Sequence, residues 1–564
     1  MRKFPALCMA AALILPGCVE VDNSLGEGLV DKSLLYDTYT VEVELDNIQM
    51  KMADALSGYS SSKLTVGAIR DDVLGLSTRE AAFPLIPALD TIDLGSNPTP
   101  VSFTMRFSAD SVSCNDDDNA RILQNLRITA LSAPLPVGAS TSCTQDIPHG
   151  STLLTKGIPV YNGTGDLSIT FSLDYARQYI DALRTLGPAL KERSSDGKDD
   201  EKLLDKYDEW VAAVPGIHMA MDNPSSKGGR INLFNFPCLS VSNNYYTYNS
   251  NVALLKVHST WEGVEKDSTF MFIPGETAFF DEGEYVRNNK KFDQFCFNRT
   301  THETTPGAAT DAILVEGGGG LKPVILASEL QEKTRAAIAR NGGNPDEVII
   351  VKASIILPFE KPASWDELKY YPSVLSPTIQ TVSKDEDDKE YISFAGLTDA
   401  SVSTENQGNI DRSNLRYAPD ITYHLQAIMD RNDLASSADS DIWLLTIHTE
   451  KVANANGSLY DNSYYQQLMY ASYYESLYGG YGGYGGYGYG GYGGYGGYGG
   501  YGGYGYNNYY NYMMLAQMMS ASSQQTYSYN SELDKDRFYR AVLCGPESER
   551  KPVFRVTYAV QKSK

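Results

Sequence analysis

From Tyr39 to Leu45 apolar and polar residues alternate strictly, with Tyr39, Val41, Val43 and Leu45 on one face and Thr40, Glu42 and Glu44 on the other. A period of two is that of a half-buried strand. The same period returns at the far end of the chain, where Phe554, Val556, Tyr558 and Val560 share a face opposite Arg555 and Thr557. Strand-like runs also occur at 64–69, 101–107, 252–261, 269–273, 313–315, 348–357, 442–448 and 538–543. Many short strands separated by Gly, Pro, Asn and Asp predict a mainly β fold of β-sandwich or partly open barrel domains.

Helical spacing is confined to a few places. The segments 174–193 and 199–214 bracket the charged stretch ERSSDGKDDEK, and Leu203, Leu204, Tyr207, Trp210, Val211 and Val214 recur on one helical face. They predict a small helical hairpin inserted into the β framework. A third helix is expected over 328–341, stopped by Gly342 and Gly343. Pro215-Gly216 then marks a boundary where the strand pattern resumes.

The amino-terminal residues carry a different pattern. Arg2 and Lys3 precede a short apolar run from Ala6 to Leu15, and Gly17 stands before Cys18. That is the layout of an export signal, and the run is well short of the roughly 20 residues a membrane-spanning helix needs. No later stretch is long or apolar enough to span. The order Leu15-Pro16-Gly17-Cys18 resembles the lipobox of bacterial lipoproteins, with proline where Ala, Ser or Thr is usual. The resemblance implies cleavage before Cys18 and acylation of its thiol, as by palmitate. Glu20 and Asp22 resemble the surface-export signal of lipoproteins in the Bacteroidota, and read equally well as a solvated linker.

Several scattered segments, taken in order, resemble the domain-of-unknown-function family 4270 of Bacteroidota outer-membrane lipoproteins. They are SLGEGLV at 24–30, LTVGAIRDDVLGLSTREAAF at 64–83, ILVEGGGGLKPVIL at 313–326, VIIVKASIILPFE at 348–360 and RAVLCGPESERKPVFRVTYAVQ at 540–561. The resemblance implies an outer-membrane lipoprotein of mainly β structure, and supplies no substrate or catalytic residue. The expected organisation is a signal peptide over 1–17, an acylated flexible tether over 18–31 and a first β domain over 32–170. A helical hairpin over 171–215 follows. A second β domain over 216–456 and 533–564 is interrupted by a Gly/Tyr-rich, disordered insertion over 457–532.

Composition narrows the partners. With Asp+Glu 70 against Lys+Arg 47, the formal charge of −23 gives no electrostatic reason to bind nucleic acid. The membrane is therefore expected as a partner through the lipid, beside an outer-membrane protein or a glycan. Of seven cysteines, Cys8 lies in the leader and Cys18 at the anchor. An exported chain can form disulfides, and Cys114 with Cys143 and Cys238 with Cys296 are the nearest pairs; buried thiols acting as small hydrophobes are the competing reading.

Chemistry-bearing motifs are few. The six histidines show no HxH or HExxH spacing, and no GxSxG elbow occurs, so neither a zinc site nor a hydrolase serine is indicated. No cofactor is expected. Glu316-Gly-Gly-Gly-Gly320 lacks the GK[ST] ending and following helix of a phosphate loop and reads as a turn between two strands. The acidic clusters 115–119, 196–201 and 385–388 lack calcium-loop spacing and read as solvated loops. From 478 to 506 the chain repeats tyrosine and glycine, and much of the total of 40 tyrosines and 49 glycines lies there. Tyr481, Tyr484 and Tyr487 of this string, with Trp365 in a turn-like context, are the candidate ligand-stacking residues, while Trp443 reads as core. The function expected is a non-catalytic, surface-exposed lipoprotein that binds an envelope partner or extracellular ligand. A glycan-binding or adhesive lipoprotein and a secreted hydrolase are the alternatives.

Overall fold

The computed structural model describes residues 36–88, 92–115, 117–136, 141–186, 207–242, 245–275, 279–281, 284–286, 295–384, 390–402, 407–453 and 527–561. Cys18, Glu20, Asp22, Tyr481, Tyr484, Tyr487 and the acidic clusters 196–201 and 385–388 lie outside them. The fold is mainly β, about 50% strand and 14% helix, in several antiparallel sheets of which one curls into a half-barrel.

Two apolar cores organise the chain. The first lies between a ten-stranded and a five-stranded sheet. The larger runs in the order His149–Leu153, Gln124–Leu131, Ile217–Met221, Gly75–Phe83, Lys63–Asp71, Gly228–Asn235 and Ala109–Cys114, with Cys296–His302 also paired to Gly75–Phe83. The smaller runs Leu167–Thr170, Ser96–Phe107, Ala253–Trp261, Val264–Pro274 and Leu85–Pro87. Phe83, Phe103, Phe107, Phe234 and Phe272 project from these strands into one core. The two helices Leu173–Leu186 and Tyr207–Ala213 add Tyr175, Tyr179 and Trp210 to it. Tyr179 meets Phe103 at 5.0 Å and Phe272 at 5.2 Å, edge to face. Trp210 donates its indole N–H to Leu85 O at 2.9 Å, so the one polar atom of the largest core side chain is satisfied. Both limbs of the expected helical hairpin thus contain a helix, and residues 187–206 between them lie outside the described residues.

The second core gathers the strands from both ends of the chain. Tyr36–Glu44 pairs antiparallel with Val553–Gln561, which in turn pairs with Val348–Pro358. The register places Tyr39 opposite Tyr558, Val41 opposite Val556 and Val43 opposite Phe554, so the two apolar faces read from the sequence are one continuous face. On the other face Thr40 meets Thr557 at 2.9 Å and Arg555 Nε donates to Glu42 at 2.7 Å. A seven-stranded sheet containing Ile48–Met52, Leu321–Ile325, Ile442–Ala453 and Val374–Lys384 closes the other side. The helices Ala327–Arg340 and Thr422–Met429 contribute Leu330, Ile338, Leu425 and Ile428 to this core. The first of them ends as expected: Gly342, at φ +77°, and Gly343 return their N–H groups to Ala339 O and Ile338 O.

Two expectations need correction. Ile217–Met221 and Gly228–Asn235, which follow Pro215-Gly216, pair with Gln124–Leu131 and Lys63–Asp71, so the proposed boundary at 216 falls inside one sheet. The Pro-Gly pair turns the chain; Gly216, at φ +114°, lies so close to Phe83 O that a Cβ would stand 2.5 Å from it. The two disulfides are also not formed. Cys114, Cys143, Cys238, Cys296 and Cys544 are joined in no disulfide among the described residues. The reason is placement: Cys296 belongs to the first core, Cys238 to a small cluster with Val252 and Ile273, and Cys143 to another with Ala53 and Leu56.

Candidate functional site

The densest gathering of chemistry-bearing side chains lies where the two halves meet, around the four glycines 317–320. This segment joins Ala312–Glu316 to Leu321–Ile325, both buried strands. The sequence reading found the turn but not what surrounds it. Arg79 comes from the middle of Gly75–Phe83, Thr300 and His302 from Cys296–His302, and Glu316 and Lys322 from the strands flanking the glycines.

The glycines are there because nothing larger fits. A Cβ at Gly317 would lie 2.0 Å from Arg537 O, at Gly319 2.6 Å from Cys143 Sγ, and at Gly320 2.1 Å from Glu316 Oε2. Gly318 adopts φ +56° with Arg79 Nη2 2.6 Å from its would-be Cβ, a conformation and an approach that both favour glycine. The polarity of the turn is opposite to that of a phosphate loop. Lys322 Nζ donates to the carbonyls of Glu316 at 2.6 Å, Gly318 at 2.9 Å and Gly320 at 3.2 Å, so the turn presents oxygens to a cation. An anion-binding loop presents N–H groups instead.

A second chain of bonds runs from Arg79 to Glu316. Arg79 Nη1 donates to Thr300 Oγ1 at 2.5 Å, Thr300 Oγ1 lies 2.8 Å from His302 Nε2, and His302 Nδ1 lies 2.8 Å from Glu316 Oε2. A neutral imidazole protonated at Nδ1 satisfies every link: it donates to the carboxylate and accepts from the threonine hydroxyl. Burial lowers the His302 pKa, against the pull of Glu316. Burial by itself would raise the Glu316 carboxyl, yet the hydrogen bond and charge of His302 hold it below its ordinary value. Burial also brings Lys322 down to about 7, against the opposing charge of Glu316. Arg79, 1% exposed, keeps Nε and Nη2 without a hydrogen-bond partner, and burial lowers its pKa too.

A lysine near neutrality beside a carboxylate and a histidine is a set of groups suited to proton transfer. Access decides otherwise. Arg79 and Lys322 are 1% exposed and Glu316 2%, and the glycines are packed against them. These side chains form a polar junction between the first sheet and the second core, with the His302–Glu316 contact crossing between them.

The remaining expected residues are dispersed. Trp365 opens a short 3-10 turn capped by Ser364 and is 55% exposed, available for stacking. Trp443 is 4% exposed and packs edge-on against Phe394 at 5.2 Å, as a core residue. Trp261 donates to Ser259 Oγ at 2.8 Å and lies under Lys266. His149 and His218 stack at 3.8 Å, and Glu80, with Nε2 of His218 at 3.3 Å and Arg299 Nη1 at 3.0 Å, is held at about 2; burial opposes this but the hydrogen bonds prevail. Among the described residues no group of three or more His, Cys, Asp or Glu is placed to hold a metal ion. Asn115, from the first acidic cluster, is buried and donates to Arg70 O and Asp71 Oδ2.

One structural feature concerns the Gly/Tyr segment. Ile442–Ala453 pairs with Val374–Lys384 from Trp443 to Ile447, then runs on beside Tyr527–Leu533, with Ala453 directly opposite Tyr527. The six residues past Ile447 extend this two-stranded ribbon by roughly 20 Å. The two residues that flank 454–526, Ala453 and Tyr527, are therefore neighbours at the ribbon's end.

Comparison with family models, with curated proteins and with solved structures finds no match to this chain.

Proposed function

We propose that the protein is a non-catalytic lipoprotein, anchored in the outer membrane through acylated Cys18 and exposed at the cell surface, that binds an envelope partner or extracellular ligand. The observation that carries this reading is the ribbon 442–453 with 527–533. It is rooted in the seven-stranded sheet, and its two strands end opposite one another at Ala453 and Tyr527, the residues that flank the segment 454–526 containing the tyrosine-glycine repeat. A segment inserted at such a point can vary without disturbing the strands of either core. Regularly spaced tyrosines make contacts that are individually weak, and their number supplies avidity. Exposed Trp365 adds a second aromatic surface and favours glycans among the ligands. The lipobox-like Leu15-Pro16-Gly17-Cys18 and the resemblance to family 4270 lipoproteins support the anchor.

The test is capture by the full-length, detergent-solubilised protein, with and without residues 478–512. A stoichiometric membrane-protein partner, or binding on a glycan array, that disappears with the deletion is the expected result. Capture indifferent to the deletion would refute the role of the repeat. Turnover of a polysaccharide or peptide by the purified protein would overturn the non-catalytic reading.

A further inference from the structure

We infer that the outer face of the sheet formed by the first and last strands carries a binding site for a carboxylated sugar. A groove of about 540 Å³ lies there, lined by Lys352, Ser354 and Ile356 of one strand, Arg555 and Thr557 of the next, and Arg416, Ala418 and Asp420 on the other side. Asn409, Ile410 and Asp411 form its far wall. This inference rests on the ligand-binding reading above and adds a place and a ligand class to it.

The strand register builds the groove. Val348–Pro358 pairs with the closing strand so that Ile350 faces Tyr558 and Lys352 faces Thr557, which leaves Val351 as an extra residue. Before this bulge the even positions Val348 and Ile350 point into the core; after it the odd positions Ala353, Ile355 and Leu357 do. Without the bulge Lys352 would point inward. With it, Lys352, Ser354 and Ile356 stand in one outward row. Arg555 lies opposite Ser354 on one side, and Asp420 bridges to Ser354 on the other. Cross-strand neighbours of this kind stand about 5 Å apart, so the three rows form one surface.

The far wall is held in place. Asp411 accepts from Ser413 N at 3.1 Å, Asn414 N at 3.0 Å and Asn414 Nδ2 at 2.7 Å, and Arg416 pairs back to Asp411 across the turn. Leu415 holds φ +52° in this turn, a conformation that a non-glycine residue keeps only when its surroundings enforce it.

The charges specify the ligand. Asp411 is engaged by its own turn, and Asp420 accepts from Thr422 N at 3.0 Å at the start of a helix. Arg555 is paired with Glu42 at 2.7 Å. Arg416 is ion-paired with Asp411, its Nε 3.4 Å from Asp411 Oδ2 and buried. Lys352 and Ser354 use their side chains in no hydrogen bond or ion pair among the described residues. One unspent ammonium and a hydroxyl therefore converge on a groove whose floor includes Ile356, Ile410 and Ala418. On a chain of formal charge −23 this is a local cationic spot. A single negative charge, several hydroxyls and an apolar ring face answer it. The groove is of the size that takes small organic ligands and is far larger than an inorganic anion requires.

The probe is digalacturonate, titrated calorimetrically into the full-length, detergent-solubilised protein, with neutral digalactose and inorganic phosphate at equal ionic strength as controls. Saturable binding at a Kd of about 1 mM or tighter is expected. Digalactose should bind at least about tenfold more weakly, as should digalacturonate to K352Q. Lys352 is exposed, so K352Q should keep the wild-type melting temperature. Deleting residues 478–512 should leave this binding unchanged, which separates failure of the groove from failure of the tyrosine repeat. Absence of saturable binding, equal affinity for digalactose, phosphate competing as well as digalacturonate, or an unaltered Kd in K352Q would each overturn the inference.

Discussion

Lowering the pH from 7 to 4 should destabilise the second core through one residue, His424. Its ring sits on Thr422–Met429 at 1% exposure, with Nε2 2.9 Å from Ser440 O and Nδ1 buried without a partner. The neutral ring donates from Nε2 and has no acceptor for a second proton, and burial brings its pKa down from 6.5 to about 4. A cation-forming group with a lowered folded pKa stays neutral in the fold while the unfolded chain takes up the proton. The stability it contributes is thus complete above about 6.5 and lost as the pH falls towards 4. Two and a half pH units at 1.36 kcal/mol each amount to about 3 kcal/mol. Urea unfolding of wild type and His424→Gln at pH 7, 6, 5 and 4 isolates the effect from that of other carboxylates and histidines. The glutamine amide can donate to Ser440 O and cannot be protonated. The variant should be less stable by about 1 kcal/mol at pH 7 and should equal or exceed wild type at pH 4. Parallel losses in the two proteins, or a folded-state imidazole resonance titrating near 6.5, would refute the reasoning.

Three further outcomes follow from the junction and the ribbon. Gly320→Ala should cost about 2 kcal/mol in chemical unfolding, since its methyl would displace Glu316 Oε2 from Leu321 N and His302. Lys322→Met should cost about 3 kcal/mol, because three buried carbonyls lose their donor; a loss below about 1 kcal/mol would show that water replaces it. Replacing residues 454–526 by Asn-Gly should leave the melting temperature within a few degrees, because Ala453 and Tyr527 already stand at hairpin distance.

The strands were legible because their period is local, whereas their partners were not. Both terminal strands show their inward and outward faces in the sequence, down to the outward pairs Thr40 with Thr557 and Glu42 with Arg555. Nothing within either segment says that they are neighbours across more than 500 residues. Proximity along the chain misled for the cysteines, since Cys143, Cys238 and Cys296 are each packed in a different apolar cluster. The same holds at Pro215-Gly216, which reports a sharp turn and carries no information on sheet membership. The junction was missed because its charged residues come from four separate strands. A signal existed: Lys322 lies between apolar Leu321 and Pro323 just after four glycines. A cation placed among apolar neighbours is buried with them and takes backbone carbonyls as partners, here those of Glu316, Gly318 and Gly320. The groove depends on one extra residue in a strand whose sequence, VIIVKASIILP, shows only a change of phase at Val351.

The anchor is tested most directly by mass spectrometry of the amino-terminal peptide from the membrane fraction, alongside fractionation of Cys18→Ser. A peptide that begins at residue 18 with a diacylglyceryl thioether and acylated amine, and a serine variant released from the membrane, is the predicted result. An unmodified Cys18, or undiminished membrane retention of the variant, would contradict the account.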